Sequence, residues 1–88
     1  MENTTYTINL DSCEAMPKVV ASFDEVPESK LNDVLYYAVR AFRSVEVINN
    51  QTGEVVLTLY VGLALFEEKR GYNYGEALDY MHHIITRD

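Results

Sequence analysis

The stretch Ser44 to Phe66, SVEVINNQTGEVVLTLYVGLALF, constrains this chain more than any other. Val45, Glu46, Val47 and Ile48 form a first run rich in β-branched residues, which favour a pleated strand. Asn49, Asn50, Gln51, Thr52 and Gly53 break it, and Glu54 to Val61 form a second run. This is the layout of a β-hairpin, with Gly53 able to supply the positive φ that a short loop demands. The pattern places the hairpin at the centre of the fold, with helices packed onto it. In the second run Val55, Leu57, Leu59 and Val61 share one face, and Val56, Thr58 and Tyr60 the other. Both faces are largely apolar, so the pattern predicts a central strand rather than an edge strand. The alternative is a partner chain covering Val56, Thr58 and Tyr60.

Upstream, Thr4 to Leu10 alternates with period two, Tyr6, Ile8 and Leu10 facing the core and Thr5, Thr7 and Asn9 facing away. The segment from Asp11 to Pro17 breaks that strand, and Lys18 to Phe23 reads as a weaker second strand or an extended loop. A helix is predicted from Pro27 to Arg43. Leu31, Val34, Leu35, Ala38 and Phe42 recur at helical spacing, Glu28 suits the helix start, and Arg40 and Arg43 suit its end.

After the hairpin, Gly62 to Arg70 either prolongs the strand or forms a short helix stopped by Gly71, the helix being favoured. Asn73 and Glu76 have capping-box spacing, and Tyr74, Ala77, Leu78, Met81 and Ile85 follow at helical intervals, which predicts a helix from Tyr74 to Thr86. The expected fold class is α+β: two layers, a mainly antiparallel sheet in ββαββα order, and two principal helices packed on one face. The two halves share the order hairpin then helix without residue-by-residue similarity.

With 88 residues the chain has room for one domain, residues 1–88, and one core. It holds 14 Asp and Glu against 7 Lys and Arg, a net charge of −7, with the acids spread along the chain. That field repels phosphates, so direct nucleic-acid binding is not expected, whereas a basic protein partner is favoured. Cys13 is the only cysteine, which excludes an intrachain disulfide and a multi-cysteine zinc site. No apolar run reaches the ~20 residues of a spanning helix, and MENTTYTINL lacks the basic and apolar regions of a signal peptide. A cytoplasmic protein without membrane contact is expected.

Motifs for catalysis are lacking. Asp11 and Glu14 flank Cys13 closely enough to raise a thiol pKa rather than lower it. His82 and His83 are helix neighbours about 100° apart, a poor pair for one metal, and Asp79 with His83 makes at most a two-ligand face. Gly53, Gly62, Gly71 and Gly75 match no phosphate-binding loop. Glu67 with Glu68, and the group Asp24, Glu25 and Glu28, read as solvated helix faces and helix starts rather than acid–base pairs. No enzyme, cofactor or metal site is expected.

The 7 tyrosines exceed what a small core can bury with every hydroxyl satisfied, and surface tyrosine favours protein interfaces. Tyr72 and Tyr74, with Glu67, Glu68, Glu76 and Asp79, are the candidate partner-binding residues. The alternative for the tyrosines is a place at the core edge, ring in and hydroxyl out. In size and charge alone the chain is similar to small acidic inhibitors of phages and mobile elements, the anti-CRISPR proteins among them; the likeness covers no motif. It implies a non-catalytic interaction module whose carboxylates occupy a basic, nucleic-acid-binding site on a partner. The alternative is a self-associating, dimeric regulatory or ligand-binding domain.

Overall fold

The computed structural model describes residues 4–12, 20–60 and 74–87. Strand β1 (Thr5–Asp11) is followed by β2 (Val20–Pro27), helix α1 (Glu28–Ala41), β3 (Ser44–Asn49), β4 (Val55–Tyr60) and helix α2 (Tyr74–Thr86). The strands form one antiparallel sheet in the order β2-β1-β3-β4. The α+β class expected from the sequence is therefore the observed one.

Register follows the apolar alternation. Ile8 lies opposite Val47 and Leu10 opposite Val45, and all four are buried. Leu57 and Leu59 continue these rows on β4, opposite Val47 and Val45. A slip of one residue would turn this apolar set into water, which is why the register is well specified.

Above this face, α1 buries Val34, Ala38 and Ala41 at helical spacing, and α2 buries Ala77 and Met81. Phe42 completes the core, fully buried immediately after α1. Its backbone is extended (φ −111°, ψ 146°), which ends the helix at Ala41 rather than Arg43 and turns the ring inward. Burying a ring of that size contributes about 2–3 kcal/mol. The helix starts without a side-chain cap. Pro27 closes β2, and the first free donor, the Glu28 N–H, bonds to the Thr4 carbonyl at 3.2 Å.

The hairpin loop is held by its own side chains. Asn49 Oδ1 accepts from the Gln51 N–H at 2.8 Å, the Gly53 N–H donates to the Asn49 carbonyl at 2.7 Å, and Gly53 has φ 77°. The glycine stands where the sequence requires it.

Two expectations change. The second strand, expected over Lys18–Phe23 (Lys18 lies outside the described residues), covers Val20–Pro27 and so runs past Phe23, because a bulge carries pairing onward: Tyr6 faces Val26 and Ile8 faces Phe23, leaving Asp24 and Glu25 against Thr7. Glu25 takes φ 55° there. Moreover, among the described strands β4 stands at the edge, not in a central place, since β1 and β3 rather than β4 lie between two partners. Val55, Val56, Leu57 and Tyr60 are exposed, Tyr60 by 60%. Apolar alternation on both faces is thus not a sign of two-sided cover here. The segment from Gly62 to Arg70 lies outside the described residues.

Candidate functional site

The strand residues that alternate with the core set form the sheet's other face. On it stand Thr5, Thr7, Asn9 and Asp11 of β1, Ser22 and Asp24 of β2, and Ser44 and Glu46 of β3, together with the apolar Val20 and Ile48. A hydrogen-bonded row crosses three strands. Ser22 Oγ donates to Asn9 Oδ1 at 2.9 Å, and Asn9 Nδ2 donates to Glu46 Oε1 at 3.1 Å. A second group fastens the hairpin loop to β1: Thr7 Oγ1 donates to Asn50 Oδ1 at 2.7 Å, and Asn50 Nδ2 donates to Thr5 Oγ1 at 3.0 Å. Side chains that bond to one another in this way are held in place before any partner arrives.

The electrostatics of this face are one-sided. The four strands contain no Lys or Arg, and their charged residues are Asp11, Asp24, Glu25 and Glu46. Of the described cations, Lys30 and Arg40 on α1 and Arg87 at the end of α2 belong to the helical layer, while Arg43, between α1 and β3, reaches Tyr60 at the rim of this face. Lys30 Nζ donates to the carbonyls of Ile85 and Arg87 at the end of α2. The Arg40 guanidinium lies 3.6 Å from the Tyr36 ring centre, and Arg43 is buried to 6% exposure with its guanidinium 4.9 Å from the Tyr60 ring. At the β4 side, exposed Val56 and Tyr60 give the polar plate an apolar rim. Such a surface accepts hydrogen bonds and attracts cations. Among the described residues no group of three or more His, Cys, Asp or Glu side chains is placed to hold a metal ion.

Of the residues singled out from the sequence, Tyr74, Glu76 and Asp79 lie on the helical layer. Tyr74 points toward the core, its ring 5.1 Å from that of Phe42 and its hydroxyl buried as well, so it takes neither a surface place nor the ring-in, hydroxyl-out arrangement. Glu76 and Asp79 are exposed on α2. Glu67, Glu68 and Tyr72 lie outside the described residues. The acids of the sheet face were missed, although their signal was present: they alternate with the apolar residues that identify the strands.

A second feature was also missed. On the outer side of the helix pair, Tyr36, Tyr37, Tyr80, His83 and Arg87 border a cleft of about 590 Å³. Tyr37 stacks on Tyr80, and Tyr36 meets Tyr37 edge to face, with ring centres 5.2 Å apart. Tyr36 and Tyr80 are about half exposed. No described helix is long and apolar enough to cross a membrane. Comparison with protein-family models, with curated proteins and with solved structures finds no match to this chain.

Proposed function

We propose that the chain is a non-catalytic interaction module that presents the open face of its sheet to a basic surface of a partner protein, in the cytoplasm. The observation that carries this reading is the composition of that face: Asp11, Asp24 and Glu46 stand among hydroxyls and amides, on strands without a single Lys or Arg. A net charge of −7 adds long-range steering toward a cation-rich site. A site that ordinarily takes nucleic acid is the natural target, since its arginines and lysines are spaced for anionic oxygen atoms. Glu76 and Asp79, exposed on α2, extend the acidic surface onto the helical layer.

The test is affinity capture from cells of the source organism, followed by binding measurements on the purified partner. Wild-type chain is compared with a triple variant, Asp11→Lys, Asp24→Lys and Glu46→Lys. The expected result is a basic partner whose affinity falls with salt and is lost in the triple variant. Retention indifferent to both salt and charge reversal would remove the reading.

A second reading rests on β4. Val55 and Val56 are each 52% exposed on an edge strand, a surface suited to pairing with a second copy about a two-fold axis. Sedimentation over a wide concentration range tests it, a concentration-independent monomer counting against it.

A further inference from the structure

The cleft between the helices differs in chemistry from the rest of the molecule. Its floor is aromatic, the stacked pair Tyr37 and Tyr80, with Tyr36 as a wall nearly perpendicular to Tyr37 at 81°. Tyr36 and Tyr80 leave 52% and 48% of their surface in water, so ring area remains for another planar group to cover. The volume, about 590 Å³, lies in the range of small-molecule sites.

Its polar lining is mixed: Arg87 only donates, Asn32, His83 and the tyrosine hydroxyls donate or accept, and Asp33 accepts. Arg87 and His83 line it from α2 and Asn32 from α1, while Asp33 is the one acid among its lining residues. Arg40, stacked on Tyr36, adds a further positive charge beside the wall. Two features oppose an anion here, the Asp33 carboxylate and the negative end of α2. Lys30 offsets the second by donating to the carbonyls of Ile85 and Arg87. Among the lining residues Arg87 and Asp33 balance, and Arg40 beside them adds one positive charge, in a chain of net charge −7. Acids farther than roughly 8 Å are largely screened at physiological salt.

We propose that this cleft binds a small aromatic molecule carrying a carboxylate or phosphate, its ring against Tyr36 and Tyr80 and its anion at Arg87. This activity is separate from the acidic face of the sheet, and loss of one leaves the other intact.

The test is a titration of the full-length chain, followed by amide NMR at physiological salt, with phenyl phosphate and benzoate as probes. Inorganic phosphate and benzyl alcohol are the controls, lacking ring and anion respectively. Saturable shifts in α1 and α2 around the cleft are expected for at least one aromatic anion, with both controls weaker by about tenfold or more. Arg87→Glu is expected to weaken binding by about tenfold or more without unfolding, because Lys30 engages the backbone carbonyl of residue 87 and not its side chain. Tyr80→Leu, which keeps an apolar side chain at the helix contact, is expected to weaken it as well. Which probe binds distinguishes a carboxylate ligand from a phosphate one. The proposal is overturned if neither probe binds at about 10 mM, weaker than any ordinary metabolite site. It is also overturned if benzyl alcohol binds as well as the anions, or if Arg87→Glu leaves affinity unchanged.

Discussion

Tyr37 on α1 and Tyr80 on α2 stack with ring centres 5.3 Å apart and planes 18° from parallel. The pair joins two helices at a place where neither ring is fully buried. It therefore does two things: it adds to helix packing and it makes the floor of the cleft. Replacing Tyr80 by Ala removes the stack and about half a ring's burial, which is expected to cost about 1–2 kcal/mol. Tyr80→Phe keeps the stack and is expected to cost less than about 0.5 kcal/mol. Urea unfolding of the two variants checks this, and equal midpoints would show that the stack does not support the fold.

Glu25 sits in the β2 bulge at φ 55°, a conformation that costs a residue with a β-carbon about 1 kcal/mol or more. Glu25→Gly relieves that strain and is expected to leave stability equal or raised by up to about 1 kcal/mol. Glu25→Val places a β-branched side chain there and is expected to lower stability by about 1–2 kcal/mol. Thermal unfolding of both variants decides the matter; a valine variant as stable as wild type would mean that the bulge lies elsewhere.

Tyr6 has its hydroxyl raised above its ordinary pKa, first by burial and then by the Glu28 carboxylate, to which it donates a hydrogen bond at 3.4 Å. Both causes disfavour the phenolate. The folded state thus holds the proton more tightly than the unfolded one. The resulting stabilisation is fully present below the unfolded value of about 10, and is lost as pH rises through the higher folded value. Tyr6→Phe removes this contribution while leaving the other tyrosines in place. The stability difference between wild type and Tyr6→Phe is expected to shrink as pH rises above about 10. A difference that stays constant with pH would refute the linkage.

What the sequence made legible was local. The alternation in Thr4 to Leu10 identifies β1, the Asn49–Gly53 break is the hairpin loop, and the spacing from Tyr74 onward gives α2 as observed. These signals lie within a few residues of each other along the chain. The neighbours of a strand do not. Whether β4 is central depends on β1 inserting between β2 and β3, a pairing of Tyr6 with Asn49 that no local pattern encodes. The same holds for the two surfaces. Asn9 meets Ser22 and Glu46 only once three strands are in register, and Tyr36, Tyr37 and Tyr80 converge only through the rotation of α1 against α2. Tyr74 and Glu76, close in sequence, end on different sides of one helix because Tyr74 packs on Phe42.

The edge position of β4 has a direct consequence for mutation. Val56 is 52% exposed, whereas Val47, on the adjacent strand, is 1% exposed. A lysine at Val56 can reach water with its ammonium group, so Val56→Lys is expected to change stability by less than about 0.5 kcal/mol in dilute solution. At Val47 the same substitution forces a charge into the core and is expected to cost several kcal/mol, on the order of 3–5, enough to unfold much of a domain of marginal stability. A central β4, covered on both sides, would make the two variants comparably damaging. Chemical denaturation of Val56→Lys and Val47→Lys therefore separates the two arrangements by the difference between the variants. Repeating the Val56→Lys measurement at high concentration extends the test to self-association. If β4 pairs with a second copy, the wild type gains stability on concentration and the variant does not, since lysines on facing edges repel and obstruct pairing. If both respond identically, the strand's exposed valines serve no homodimer.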